Sequence, residues 1–313
     1  MAPFTAHQGL IAPNLTPFND DLSLATDLYV AHARALLEGP CAALAPFGTT
    51  GEALSVAPAE RIEALKALIG AGIDARRLIP GTGLTSLPET VALSRKCLDM
   101  GCAAVMVLPP FYFKPVSDDG LFAYFAALVQ RLGPDARIVL YHIPQVSGVG
   151  FPVPLVARLR QAFPDQIVGI KDSSGKLDNT LALLDIEGLT VWPGSELPVL
   201  ETSARGAPGC ISATANLNGA AIAEVLELLR EGRREEAAAK HEAVKAVRLT
   251  FQDYAPIPAQ KRLLAMVTGE ARWANLRPPL MPVSEEKGEE LLKALGPEFR
   301  ARLEDFARSE MRG

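Results

Sequence analysis

RIVLYHIPQVSGVGFPVPLVARLRQAFPDQIVGIKD, residues 137–172, holds two apolar runs about one 30-residue βα unit apart. Neither run alternates apolar with polar residues, as a strand with one wet face does. Continuous apolar character marks strands buried on both faces, the condition of parallel strands covered by helices. Working outward, six further runs read the same way: LIAPNL, CAALAPF, RLIPG, AAVMVLPP, LTVWPG and GCISATA. Between the eight lie amphipathic segments, such as Pro58 to Gly72 and Leu87 to Gly101, with apolar residues at three- and four-residue steps and a closing glycine. Eightfold strand–helix alternation predicts an α/β fold, a (β/α)₈ TIM barrel. A doubly wound open sheet would carry a glycine-rich turn after its first strand, and PNLTPFND is not one. After Leu217 the pattern is helical to the end, so the expected organisation is a barrel over residues 1–232 and a C-terminal helical extension over 233–313, with no flexible linker.

Composition narrows the function classes. With 49% hydrophobic residues among 313, a large core needs no staples. Runs such as IVGI and AAVMVL fall far short of the roughly 18 residues of a membrane span. MAPFTAHQGLIAPN lacks a basic region followed by a long apolar stretch, so no secretory signal is read and a cytoplasmic location is expected. A net charge of −5 gives no global attraction to nucleic acid or anionic lipid, and Arg76-Arg77 and Arg233-Arg234 read as solvated helix faces. Cys41, Cys97, Cys102 and Cys210 form no CxxC pair and read as reduced, buried thiols. The histidines, His7, His32, His142 and His241, show no HxH or HExxH spacing, so neither a metal nor a cofactor is expected.

In a barrel of this kind the active site forms where strands end, so polar residues directly after apolar runs carry the chemistry. Lys171 closes IVGIK. Burial there favours the neutral amine, the nucleophile that Schiff-base chemistry requires; the alternative is a lysine that snorkels or pairs with Asp172. Tyr141 ends the preceding strand and could serve as general acid and base, or simply pack with its hydroxyl at the rim. GTTGE, Gly48 to Glu52, joins a strand end to a helix through small residues whose amides and hydroxyls can cradle a carboxylate, unless the turn is only structural. His142, the next residue after Tyr141, is expected on the opposite face of its strand in a structural role.

Taken in order, GTTGE, PFYFKP (Pro110 to Pro115), YHIP (Tyr141 to Pro144), GIKD (Gly169 to Asp172) and ISATAN (Ile211 to Asn216) resemble the dihydrodipicolinate synthase/N-acetylneuraminate lyase family, from about Gly9 to the C-terminal helices. The resemblance implies that Lys171 forms an imine with pyruvate or another 2-oxo acid, that Thr49 and Thr50 hold its carboxylate, and that Tyr141 shuttles protons. Tyr112 matches the tyrosine that reaches into a neighbouring subunit's site and completes a Thr-Tyr-Tyr relay through Thr50. The backbone at Ile211 would help position the oxo acid, and the implied assembly is a homotetramer of tight dimers.

The departures are informative. Two residues beyond YHIP, where the synthases place an arginine for aspartate semialdehyde, stands Val146. Loss of a bidentate guanidinium removes about 1.5 to 3 kcal/mol of charge-assisted binding. Phe111 replaces the tyrosine expected before Tyr112, and ALSVAPAER lacks the histidines associated with lysine feedback in some synthases. QVSGV (Gln145 to Val149) resembles the sialic-acid lyase branch, and Ser173 offers a hydroxyl where that branch has threonine. Gly194, Ser195 and Glu196, after the seventh strand candidate, are further candidate contacts, although Leu197 leaves the acidic pair of that branch incomplete. The expectation is a class I aldolase or dehydratase acting on small molecules, a hydroxylated 2-oxo acid and its aldehyde partner. Synthase activity proper is the same-class alternative, and a non-catalytic 2-oxo-acid-binding protein is the reading from a different class.

Overall fold

The computed structural model describes residues 4–310, so residues 1–3, part of the segment read for a secretory signal, and residues 311–313, the end of the expected helical extension, lie outside the described residues. The chain divides into two compact units, each assembled from two separate stretches of sequence.

One unit comprises Gly9–Ile73 together with residues 212–310. Strand β1 (Gly9–Ala12) pairs in parallel with β2 (Cys41–Leu44), Ile11 opposite Ala43, and the helix Thr26–Glu38 connects them. A helix follows at Pro58–Gly70, started by a proline in its first turn and by the Glu60 carboxylate accepting from the Ala57 N–H (2.9 Å). From Ala215 the chain is helical, as the sequence predicts, in Ala215–Arg230, Arg234–Thr250, Pro256–Thr268, Glu285–Leu295 and Pro297–Glu310. Their apolar stripes close a core that includes Leu217, Val247, Leu263, Trp273, Leu291 and Phe299. Burying each such side chain stabilises the fold by about 1.5–3 kcal/mol before entropy is counted.

The other unit comprises residues 4–8 with Asp74–Ile211. Strands β3 (Val105–Val107), β4 (Ile138–His142), β5 (Ile167–Asp172) and β6 (Thr190–Pro193) form a parallel sheet in sequence order, and β7 (Gly209–Ile211) follows. Nearly every residue of β3 to β6 is buried, which accounts for their unbroken apolar character. Helices Asp118–Leu132, Val153–Ala162 and Leu177–Leu184 make the parallel crossovers. Pro58–Gly70 and Leu87–Asp99 each stop two residues short of the glycine expected to close them. Gly72 and Gly101 instead take the positive φ of the following turn.

One strand candidate, RLIPG, differs from expectation. It makes isolated bridges, Gly81 pairing in parallel with Met106, rather than a strand. Hydrogen bonds from Ala103 to Leu78, Met106 to Pro80 and Thr82 to Met106 keep the segment alongside β3. Pro80 has no N–H to give, so the ladder is interrupted at its centre. All four cysteines are free and buried, and burial pushes the Cys102 thiol up to about 12. No helix among the described residues is long and apolar enough to cross a membrane.

Candidate active site

Tyr141 and Lys171 stand directly opposite each other in the β4–β5 ladder, and Lys171 stands opposite Trp192 in β6. Parallel register therefore brings the tyrosine and the lysine to one strand end and one face. Lys171 is only 4% exposed, and its Nζ lies 4.4 Å from the centroid of the Tyr141 ring. An ammonium over that ring gains about 0.5–2 kcal/mol, while imine formation requires the neutral amine.

The alternating residues His142 and Asp172 occupy the opposite face. Asp172 accepts from the Ser174 N–H (2.9 Å), the Asn179 amide (3.0 Å) and the Thr180 hydroxyl (2.7 Å), so its carboxylate caps the loop into the next helix. The alternative of an Asp172 partner for Lys171 is thus answered by geometry. His142 accepts through Nδ1 from the Phe151 N–H (2.8 Å), and burial lowers its pKa below the usual histidine value, as fits a structural imidazole. It borders a cavity of about 700 Å³ with Lys114, Lys176 and Asn179; neither Lys171 nor Tyr141 lines this cavity, so its size says nothing about their chemistry.

Around the β5 and β6 ends the loops interlock. Ser173 donates its N–H to the His142 carbonyl (2.8 Å), Gly194 donates to the Asp172 carbonyl (2.6 Å), and Gln145 donates through Nε2 to the Ser173 carbonyl (2.6 Å). Ser173 packs so closely on Gly194 that a Cβ there would overlap the serine hydroxyl. Ser173 and Gly194 are therefore brought together. Ser195 is half-buried, whereas Glu196 and Ile211 are fully buried. Val146 is 62% exposed, an apolar side chain in solvent. Tyr112 is 77% exposed and meets Phe113 edge to face at 5.7 Å, so its ring is not folded into the interior of its own unit.

Thr49 and Thr50 belong to the unit that contains β1 and β2. Thr50 is buried and Thr49 half-buried, in a turn closed by Glu52 N–H to the Thr49 carbonyl (3.1 Å) and Ala53 N–H to the Gly48 carbonyl (3.2 Å). Phe47 and Glu52, which flank it, have φ of 57° and 53°. Left-handed backbone at a residue with a Cβ costs about 1–2 kcal/mol, so the turn is held against strain. Gly51 must be glycine for another reason: a Cβ would come within 2.9 Å of the Phe47 nitrogen and 3.1 Å of the Asn14 carbonyl.

Sequence reasoning passed over the groups that hold this turn. Lys261 donates to Glu52 Oε1 (2.6 Å) and to the Thr16 carbonyl (2.8 Å), while the Thr16 hydroxyl donates to the Gly51 carbonyl (2.8 Å). The available signal was a lysine three residues before Leu264 and four after Ile257, on the apolar stripe of its helix.

Parallel strands alternating with helices, with a buried lysine and tyrosine at adjacent strand ends, define the class of α/β-barrel lyases. The chain belongs to the dihydrodipicolinate synthetase family, whose profile matches residues 6–297, and is a Schiff-base lyase of that family. It is 35% identical to an uncharacterized DapA-like lyase of Chloroflexus aurantiacus, over 90% of this chain and 93% of that one. It is 34% identical to a 4-hydroxy-tetrahydrodipicolinate synthase of Thermus thermophilus, over 91% of this chain and 94% of that one. The crystal structure of dihydrodipicolinate synthase from Agrobacterium tumefaciens matches at a TM-score of 0.81 and 36% identity, over 91% of this chain and 97% of that one. The fold expected from the sequence, a (β/α)₈ barrel with a C-terminal helical part, is thus the fold of the chain.

Proposed function

We propose that the chain is a class I aldolase or dehydratase acting on a hydroxylated 2-oxo acid, such as a 2-oxo-3-deoxy sugar acid. The Lys171 amine adds to the C2 carbonyl, and the carbinolamine loses water to give an imine. The imine then draws electrons from the C3–C4 bond that breaks in aldol cleavage, or from the C3–H bond in dehydration. Tyr141 gives a proton to the departing carbinolamine hydroxyl and takes one from the substrate hydroxyl. Thr49 and Thr50 hold the carboxylate, Thr50 and a neighbouring copy's Tyr112 extend the proton relay, and the Ile211 backbone orients the oxo acid. Ser173, Gly194, Ser195 and Glu196 face the hydroxylated chain. In this reading residues 1–232 carry the activity, residues 233–313 buttress it, and the assembly is a dimer of dimers.

The observation that carries the proposal is the buried Lys171 Nζ 4.4 Å from the ring of its in-register partner Tyr141. Val146, apolar and exposed at the position of the synthase arginine, favours a substrate arm recognised by hydroxyl contacts over one recognised by its charge. Pyruvate with borohydride should add mass to Lys171, and a panel of 2-oxo-3-deoxy sugar acids should release pyruvate. A folded protein whose Lys171 stays unmodified would sink the idea.

The second reading is 4-hydroxy-tetrahydrodipicolinate synthase, condensing pyruvate with aspartate semialdehyde. It is favoured by the function of the Thermus relative at 34% identity. A coupled assay separates the two: turnover of about 1 to 10³ per second with the semialdehyde selects the synthase.

A further inference from the structure

The unit that carries Thr49 and Thr50 holds an ion pair, Lys261 with Glu52, whose side chains are both without solvent exposure. The Lys261 Nζ also lies 4.6 Å from the centroid of the Phe18 ring, on which the Arg277 guanidinium sits at the same distance. Among the described residues, the Glu52 carboxylate has the Lys261 ammonium as its charged hydrogen-bond partner, with the Arg277 cation close by. Burial lowers the Lys261 ammonium to about 8 despite its carboxylate neighbour, and raises the Glu52 carboxyl despite its ammonium neighbour. Desolvation therefore outweighs mutual attraction on both sides, and the pair costs stability where a fitted apolar pair need not.

What the pair does accomplish is local. It grips the turn at two points: directly at Glu52, and at Gly51 through Thr16, whose carbonyl accepts from Lys261 and whose hydroxyl donates to the Gly51 carbonyl. Glu52 is one of the two residues in left-handed backbone that bracket Gly48 to Gly51. A strained turn relaxes unless something outside it fixes the geometry.

We propose that Lys261 is a positioning residue: from the C-terminal helices it fixes, through Glu52 and Thr16, the turn whose Thr49 and Thr50 hold the carboxylate of the 2-oxo acid. The inference rests on the reading of those threonines given above. It extends the active-site machinery to a helix that supplies no group to the substrate.

The test uses the full chain in four forms: wild type, Thr49→Val, Thr50→Val and the double variant Lys261→Met/Glu52→Gln. The double variant leaves no buried charge unpaired. Borohydride trapping of the pyruvate imine at Lys171 is followed against pyruvate concentration, and each form's Tm is measured. The double variant should melt at or above the wild-type temperature, reach wild-type trapping at saturation, and need about tenfold or more pyruvate for half-saturation. A stably folded double variant with wild-type half-saturation overturns the inference alone, provided that the threonine variants are impaired. A double variant that melts far below wild type also overturns it, because the pair would then be a stabiliser of the fold. Threonine variants with unchanged half-saturation remove the reading of the turn, and an untrapped wild type removes the Schiff-base reading; the inference falls with either.

Discussion

At the scale of single residues, the β4–β5 register makes Tyr141 an immediate neighbour of Lys171, its ring 4.4 Å from the amine. Tyr141→Phe keeps the packing of the ring and removes only the hydroxyl. The expected result is a fall in kcat of about 10² to 10⁴ with KM less affected; an unchanged kcat would assign the phenol to packing. Gly194→Ala tests a different property. Its Cβ would overlap the Ser173 hydroxyl and crowd the Ser173 backbone, so the loop after β5 must shift. Overpacking of this kind costs about 1–3 kcal/mol, which thermal denaturation reads, and the shift should raise KM for hydroxylated substrates. A variant matching wild type in both Tm and KM would show that the two loops move apart freely. Lys171 and Tyr141 were legible from sequence because a polar side chain closing an apolar strand stands out. Lys261 was not, since one lysine on an apolar stripe reads as a snorkelling side chain until its carboxylate partner, far away in sequence, is seen beside it.

Among the elements, the exposed loop carrying Tyr112 and Phe113 invites the sharpest experiment. If Tyr112 completes a neighbour's site, inactive Lys171→Ala chains mixed with inactive Tyr112→Phe chains should regain activity. A hybrid dimer in which both lesions fall on one site leaves the other site intact. No recovery after confirmed subunit exchange would confine Tyr112 to its own chain. Element boundaries were legible to within a few residues where a physical stop signal exists, as at Gly72 and Gly101, whose positive φ ends the preceding helix turn. The third strand candidate, RLIPG, is expected as a strand from its apolar content, yet it forms isolated bridges beside β3. Apolar content reports burial, whereas ladder continuity depends on one N–H that Pro80 lacks. Nothing in local periodicity could reveal that residues 9–73 and 212–310 make one unit, because that grouping depends on pairings between distant segments.

For the whole molecule, the buried pair sets an unusual pH response. Between its folded value of about 8 and its ordinary 10.5, Lys261 has lost its proton in the folded chain and kept it in the unfolded one. Its part of the stability therefore grows as pH rises through that window. Glu52 acts with the opposite slope: its raised folded pKa lets the folded chain hold a proton that the unfolded chain gives up above 4.5, so its part shrinks as pH rises from there toward the folded value. Urea denaturation from pH 8 to 10 should show wild type losing less stability than Lys261→Met/Glu52→Gln, by up to roughly 1.4 kcal/mol per pH unit. A steeper loss in wild type would refute the assignment. The split of each unit into two stretches also bears on birth of the chain. Glu52 emerges from the ribosome with β1 and β2, but the helix bearing Lys261 follows only after residues 74–211 have been made. At about 5–20 residues per second, the roughly 210 residues from Glu52 to Lys261 make a delay of about ten to forty seconds, during which the apolar faces of residues 9–73 await their covering. Nascent chains stalled at residue 211 should bind chaperone and be cut by protease within that segment, while released full-length chains resist both.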